Sequence, residues 1–245
     1  MISLRSFFLL FFVLFASIEV YAQTNKDISQ KYDFNLDLSY DSILGEDPDF
    51  PSVKIATPLT PGLSLNYQYK ETPLTIKAGL NYKHIQFKDD SKRNIPVENN
   101  GPTHNVGFQF QILWDLNDTI RLGGHINYAQ LYFYQSRVLE NKVVIKSSLG
   151  MITQLGLEYD LLNKEFFKTT VYGFYGLSTA NSTLQGGSSH LYGARASYKY
   201  SENSNMISDL SYSQTQNNTK AYDTIINTNQ ARARFNLKLG LERKF

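Results

Sequence analysis

The last fifteen residues, 231–245, read ARARFNLKLGLERKF and alternate apolar with polar side chains. One set of alternate positions consists of Ala231, Ala233, Phe235, Leu237, Leu239, Leu241, Arg243 and Phe245. The other set consists of Arg232, Arg234, Asn236, Lys238, Gly240, Glu242 and Lys244. Because successive side chains of a strand point to opposite faces, this segment is predicted to be a strand with one apolar and one charged face. A strand in the wall of a membrane barrel needs such faces, because one face contacts lipid and the other faces a water-filled or polar lumen.

The same alternation recurs along the chain and predicts ten antiparallel strands that form an all-β, up-and-down transmembrane barrel. The earlier strands are expected at residues 32–40, 63–70, 74–83, 105–114, 120–128, 149–159, 171–177, 192–200 and 206–214. Connections after even-numbered strands are short and those after odd-numbered strands are longer and polar, as in barrels with short periplasmic turns and long outer loops. Residues 52–60 could either extend the second strand or form a separate short strand, and Pro58 and Pro61 favour a break. Twelve strands remain the alternative.

Aromatic residues test this topology independently, since the chain contains 17 Tyr and 16 Phe. If even strands run toward the inner side, the inner edge receives Tyr69, Trp114, Tyr159, Tyr200 and Phe245. The outer edge then receives Tyr40, Tyr82, Tyr128 and Tyr175. Amphipathic rings prefer the headgroup level on both sides of a membrane. The aromatic residues are thus predicted to form one belt at each membrane interface, which agrees with the topology that the loop lengths indicate.

The N-terminus has the features of a secretory signal peptide. Arg5 supplies a positive charge, residues 7–16 are apolar, and Ala22 ends a suitable cleavage site before Gln23. The apolar run is too short to span a bilayer of about 30 Å. We expect a signal peptide at 1–22, a short periplasmic segment at 23–31 and the barrel at 32–245. With no Cys in the chain, lipid anchoring at a cysteine, disulfides and thiolate metal sites are excluded.

The C-terminal segment also resembles the sorting signal of outer-membrane β-barrel proteins, which has a polar residue, a Gly, and apolar or aromatic positions that close on a terminal Phe. Lys238, Gly240 and Phe245 occupy those places, whereas Arg243 departs from the pattern. From about Tyr32 onward the chain resembles the broad class of small outer-membrane barrels of Gram-negative bacteria. The resemblance implies export to the outer membrane, contact with its lipid and lipopolysaccharide, and insertion by the barrel-assembly machinery. It identifies no subfamily and implies no activity.

The lumen face is predicted to carry charges of both signs. Its charge network is expected to include Asp33, Asp37, Lys77, Arg121, Glu158, Arg195, Arg232, Arg234 and Lys238. Unpaired charges in a narrow interior cost several kcal/mol, so these groups should pair and plug the lumen. Closure should place the acids of the first strand beside the bases of the last, with Lys238 closest to Asp37. The basic excess leaves a narrow porin-like channel with mild anion preference as the alternative.

Catalysis has weaker support in the sequence. His84, His104 and His190 lie near predicted strand ends and His125 faces the lumen, but no nucleophile stands at a motif spacing beside them. Asp89 and Asp90 form an acidic pair typical of a solvated loop. A lipid- or peptide-cleaving barrel is therefore the least favoured class, and no cofactor or metal is expected. The net charge of +2 gives no argument for a nucleic-acid partner.

The favoured interpretation is a non-enzymatic surface barrel with a salt-bridged lumen. Its outer loops, predicted at 41–61, 88–103 and 216–228, would meet a surface ligand of unknown identity or support envelope integrity.

Overall fold

The computed structural model describes residues 28–46, 53–89, 96–99, 103–137, 142–179, 184–219 and 229–244. In chain order the strands are β1 (Ile28–Glu46), β2 (Val53–Ala56), β3 (Thr60–Glu71), β4 (Leu74–His84), β5 (Lys88–Asp89), β6 (Val97–Asn99), β7 (His104–Asp115), β8 (Ile120–Arg137), β9 (Lys142–Asn163), β10 (Phe167–Ser178), β11 (Leu184–Gln185), β12 (Ser188–Ser201), β13 (Ser204–Thr219) and β14 (Asn229–Lys244). No helix in this part of the chain is long and apolar enough to cross a membrane.

Ten long strands close into a barrel in the order β1-β3-β4-β7-β8-β9-β10-β12-β13-β14, and β14 pairs with β1. Each neighbouring pair in this ring is antiparallel. This arrangement confirms the predicted up-and-down barrel and its count of ten. Within residues 52–60, which suggested a twelve-strand alternative, residues 53–56 form the short strand β2 outside the ring, and β2 pairs with the outer end of β1.

Short connections join the strands at the end that we call the inner end. They comprise residues 72–73, 116–119, 164–166 and 202–203. β1 begins at Ile28, four residues before the predicted start of the barrel at Tyr32, and continues past Tyr40 to Glu46. The expected signal peptide at 1–22 and most of the segment at 23–31 lie outside the described residues.

Alternation assigns the two faces of the wall. Outward positions of β1, β9 and β14 include the exposed side chains Leu36, Leu38, Leu155, Leu157 and Leu239. Intervening positions are buried and polar, among them Asn35, Asp37, Gln154, Glu158 and Asn236. Apolar side chains thus cover the outside and polar side chains fill the inside, which is the reverse of a soluble globule and typical of barrels that span a membrane.

The outer mouth carries a cap with its own apolar core. Its fully or nearly fully buried members are Ile43, Ile55, Ile85, Phe87, Tyr132, Tyr134, Val143 and Ile145, and Val97 packs against them. These residues come from β1, β2, the segment around β5, β6 and the outer parts of β8 and β9. Two of the predicted polar outer loops, 41–61 and 88–103, therefore contribute strands to a packed cap, because their isolated apolar residues meet only after the chain folds.

The cap forms because the β8–β9 hairpin crosses the mouth. Beyond Tyr128 the alternation of exposure stops, and residues 131–135 are all buried. The backbone N–H of Tyr134 donates to Gln230 Oε1 (3.0 Å), and Gln230 Nε2 donates to the carbonyl oxygen of Tyr134 (2.7 Å). Gln230 lies on β14, which is five strands from β8 around the ring of ten. The hairpin thus reaches the opposite wall.

Candidate functional site: the charged lumen and its cap

The barrel encloses a cavity of about 220 Å³ beneath the cap. Polar side chains from most of the ten strands line it, including Asn66, Gln109, Asn127 and Gln154, and the cap contributes Leu131. Of the predicted charge network, the residues that line the cavity are Asp33, Asp37, Lys77, Glu158, Arg195, Arg232, Arg234 and Lys238. Arg121 does not line the cavity, but it contacts Glu158 from below, toward the inner end.

Among the residues that the structure describes, Glu158 and Asp160 form the centre of the largest ion-pair cluster. Arg121 Nε donates to Glu158 Oε2 (3.1 Å), while Arg121 Nη1 and Nη2 donate to the two carboxylate oxygens of Asp160 (2.9 and 2.6 Å). Lys77 and Lys168 complete the cluster by pairing with Glu158 (3.3 Å) and Asp160 (2.7 Å), respectively. A two-pronged guanidinium–carboxylate contact is among the stronger protein hydrogen-bonding arrangements. The cluster ties β4, β8, β9 and β10 together near the inner end.

A second ion pair lies across β12 and β13. Arg195 Nε donates to Asp209 Oδ2 (3.0 Å), and the hydroxyl of Tyr172 donates to Asp209 Oδ1 (2.7 Å). The guanidinium of Arg195 also lies 5.8 Å from the ring centroid of Tyr172. Both oxygens of this nearly buried carboxylate are thereby satisfied.

The seam between β1 and β14 has ion pairs at both ends. At the inner end Lys31 Nζ lies 3.0 Å from Glu242 Oε1. At the outer end Arg232 Nη2 and Arg234 Nε donate to Asp41 Oδ1 (2.9 and 2.6 Å). Asp41 is fully buried. The two outer seam contacts therefore share Asp41, which lies one residue beyond the predicted end of the first strand.

The expected partners of the strand-one acids need correction. The register does place Asp37 opposite Lys238, but within the described ranges no hydrogen bond joins the Asp37 carboxylate to any group. Asp33 accepts hydrogen bonds from the amides of Asn35 (3.0 Å) and Asn66 rather than from a base of β14. The reason is that β1 extends to Asp41, and the long Arg232 and Arg234 side chains reach that carboxylate instead.

Sequence reasoning missed several residues of the site, including Asp41, Asp160 and Gln230. Asp41 and Asp160 continue the inward alternation of β1 and β9, so extending each strand by one or two residues would have found them. Gln230 continues the inward set of β14 in the same way. Its contact with Tyr134 has no sequence signal, because the two residues are 96 positions apart.

Aromatic side chains lie at both ends of the outward face. At the inner end Trp114, Tyr159 and Tyr200 are exposed and Tyr69 is partly exposed. At the outer end an aromatic row crosses four neighbouring strands through direct cross-strand pairs, and its members are Tyr40, Phe235, Tyr212 and Tyr192. The rings of Tyr212 and Phe235 have centroids 4.8 Å apart.

The four histidines divide between the lumen and the outward rim. His125 lines the lumen, where its Nδ1 lies 3.1 Å from Gln154 Oε1. His84 and His104 are cross-strand neighbours on the outward rim, and His190 packs there against Tyr175 with ring centroids 4.9 Å apart. No group of three or more His, Cys, Asp or Glu side chains suited to a metal ion occurs among the described residues. Asp89 pairs through β5 with β2, while Asp90 lies outside the described residues.

The assembly signal predicted from the C-terminus lies partly within the structure. Gly240 pairs with Asn35 across the seam, and a Cβ at this position would lie 2.0 Å from Asn35 Oδ1 and 2.6 Å from the carbonyl oxygen of Phe34. Gly240 is therefore required locally for close packing of β14 on β1. Phe245 lies outside the described residues.

No protein-family model and no curated protein matches the chain. Solved structures do match. The outer-membrane protease OmpT from Escherichia coli aligns with a TM-score of 0.54 at 11% identity, over 89% of this chain and 97% of that one. The translocator domain of the autotransporter NalP from Neisseria meningitidis aligns with a TM-score of 0.50 at 11% identity, over 94% of this chain and 93% of that one. At such identities the likeness concerns the fold. The closed ring of ten strands and these likenesses show that this chain has the fold of the outer-membrane β-barrel proteins.

Proposed function

We propose that the protein is a non-enzymatic outer-membrane barrel of a Gram-negative bacterium, exported with a cleaved signal peptide, whose lumen is plugged and whose cap and outer loops act at the cell surface. The observation that carries this proposal is the cap. Its core contains the completely buried side chains of Ile43, Ile55, Tyr134 and Val143. Burial of a large aliphatic or aromatic side chain contributes about 1.5–3 kcal/mol, so such a core favours a closed mouth.

The ion pairs below the cap support the same proposal. The Glu158 cluster, the Arg195–Asp209 pair and the Asp41 pairs each join strands of the wall on its lumen face. Opposite charges that satisfy one another hold the wall together and reduce the number of free charges available to a permeating solute. The apolar outward face with its two aromatic belts supports a position in a bilayer, where lipid and lipopolysaccharide would contact it.

The second candidate is a narrow channel with mild anion preference. The cavity and the basic residues around it favour this function, because a positively charged lumen attracts anions. The protease activity named for OmpT is not part of the proposal. Three of the four histidines face outward, and His125 has Gln154 as its hydrogen-bond partner in the lumen.

Planar-bilayer recording of the full-length mature protein separates the two candidates. We expect the wild type to be silent. In an opened variant, residues 131–148 are replaced by Asn-Gly, a sequence suited to a two-residue hairpin that would join the paired residues Gln130 and Leu149. We expect this variant to give steady conductance steps, since it loses the part of the hairpin that crosses the mouth.

A control variant lacks residues 221–226. This deletion shortens another outer connection and removes none of the described cap residues. The control variant should remain silent. Steady conductance of the wild type, with anion selectivity in asymmetric salt, would instead establish the channel. A surface or envelope role is tested by deleting the gene, which we expect to increase sensitivity to detergents and to be rescued by the wild-type chain.

A further inference from the structure

Four charged side chains surround the part of the lumen cavity that lies toward the cap; we call this part the chamber. Asp37 of β1 lies directly opposite Lys238 of β14 in the register. On the other side of Asp37 the register continues through Gly62 of β3 to Lys83 of β4. Arg234 of β14 completes the group, and all four charged residues line the cavity. We call Asp37, Lys83, Arg234 and Lys238 the chamber quartet.

Gly62 allows the quartet to assemble. A Cβ at this position would lie 2.7 Å from Cγ of Lys83 and 2.8 Å from the backbone oxygen of Tyr82. The missing side chain therefore lets Lys83 lie across the lumen face of β3. Lys83 Nζ then reaches β14 and donates to Asn236 Oδ1 (3.1 Å).

The quartet retains unused hydrogen-bonding capacity. Both carboxylate oxygens of Asp37 and the Nη2 of Arg234 are buried without a hydrogen-bond partner among the described groups. Lys83 uses one of its three protons on Asn236, and Lys238 has no ion pair with any residue that the structure describes. Buried polar groups are normally satisfied, so unpartnered donors and acceptors that line one cavity point to a group that occupies it.

The charge balance identifies the sign of that group. Asp37 and Asp41 are the acids in this region, whereas Lys83, Arg232, Arg234 and Lys238 are the bases. Asp41 already pairs with Arg232 and Arg234. The region thus has an excess of two positive charges, which favours an anion. Asp37 adds a second requirement, because an ionised carboxylate only accepts hydrogen bonds and needs a donor.

We propose that the chamber quartet binds a hydrogen phosphate group, either free or as a small phosphate monoester. Arg234, Lys83 and Lys238 donate to its anionic oxygens, and Asp37 accepts the proton of its P–O–H group. A cavity of about 220 Å³ has room for on the order of ten water molecules, so a tetrahedral oxyanion fits together with some of its hydration. Sulfate has the same shape but no proton at neutral pH, so Asp37 repels it.

Equilibrium dialysis of the full-length mature protein in detergent micelles tests this site, with radiolabelled phosphate and sulfate as probes. We expect saturable binding of phosphate with one site per chain and at least tenfold weaker binding of sulfate. Lys238→Gln should weaken phosphate binding at least tenfold. Asp37→Asn should remove the discrimination, so that sulfate binds about as well as phosphate, because an amide can donate to an unprotonated oxygen.

Lys168→Gln is the matched control, since it removes the same charge from the inner end of the barrel, where Lys168 pairs with Asp160. It should bind phosphate like the wild type, and heat-modifiable gel mobility verifies that every variant is folded. Competition with unlabelled glycerol phosphate distinguishes the two sources of the phosphate group. If glycerol phosphate displaces the labelled phosphate, the site binds monoesters. If it does not, the site binds only free phosphate.

Three results would overturn the proposal. The first is absence of phosphate binding to the folded wild type, and the second is equal binding of phosphate and sulfate by the wild type. The third is an equal loss of phosphate affinity in Lys168→Gln and Lys238→Gln, which would show that binding depends on net charge alone. Loss of binding of both anions in folded Asp37→Asn would also contradict the assigned role of this carboxylate.

Discussion

Arg234 of β14 donates a 2.6 Å hydrogen bond to Asp41 of β1, directly opposite it across the seam where the first and last strands close the barrel. The two residues are 193 positions apart, so this contact exists only when the ring is complete. Arg232 donates to the same carboxylate oxygen (2.9 Å). Asp41 therefore acts as a shared anion for two cations at the closing seam.

Replacement of Asp41 by Asn should destabilise the barrel by about 3–5 kcal/mol, because it leaves Arg232 and Arg234 buried without their counter-charge. Urea unfolding from lipid vesicles measures this change. A double-mutant cycle between Asp41 and Arg234 should give a coupling of about 1–3 kcal/mol. The matched cycle between Asp37 and Lys238 should give little coupling, because no ion pair joins them. Equal coupling in the two cycles would contradict the assignment of Asp41 as the seam acid.

Substitution of Gly45 should open the cap. A Cβ at this position would lie 1.9 Å from the hydroxyl oxygen and 2.5 Å from Cζ of Tyr134, so Gly45→Ala forces Tyr134 out of the apolar core. Overpacking of this kind costs about 1–3 kcal/mol. We expect faster proteolysis of the β8–β9 hairpin from the outer side. Gly124→Ala is the control, since its nearest atom would be 3.6 Å away. Equal resistance of the β8–β9 hairpin to proteolysis in both variants would show that Tyr134 does not stabilise the cap.

Removal of Phe245 should reduce assembly more than stability. The resemblance of the C-terminus to the outer-membrane sorting signal implies that insertion machinery recognises the last strand. Phe245→Ala and deletion of Phe245 should therefore lower the amount of folded barrel in the membrane, as measured by heat-modifiable gel mobility. Lys244→Ala serves as the control for a change at the neighbouring position. An unchanged folded yield in both Phe245 variants would show that the resemblance at this residue is accidental.

Export should remove residues 1–22. N-terminal sequencing or intact mass measurement of membrane-extracted protein should place the first residue at Gln23, with the mass also detecting cyclisation of that glutamine. A mature chain that retains residues 7–15 would contradict the signal-peptide prediction. Replacement of Ala22 by a bulky residue should slow cleavage, since signal peptidase sites require small side chains.

Much of the wall could be predicted from single strands. The alternation in β14 separates Leu237 and Leu239 from Asn236 and Lys238, and the exposures follow that separation. Strand ends were harder to predict, because a polar strand end and a polar loop have similar compositions. The extension of β1 through Asp41 to Glu46 was missed for this reason, and with it the acid of the seam.

The sequence by itself determined the period-two pattern and the two faces of the wall, because these depend on neighbours in the chain, and it favoured ten strands over twelve. Only the tertiary structure decided which lumen charges pair, since that depends on the register of strands that meet after closure. It placed Asp41 against Arg234, left Asp37 facing Lys238 without an ion pair, and brought Tyr134 across the mouth to Gln230. The cap has the same origin: its apolar residues come from segments that are far apart in the chain, and only long-range packing gathers them into a core.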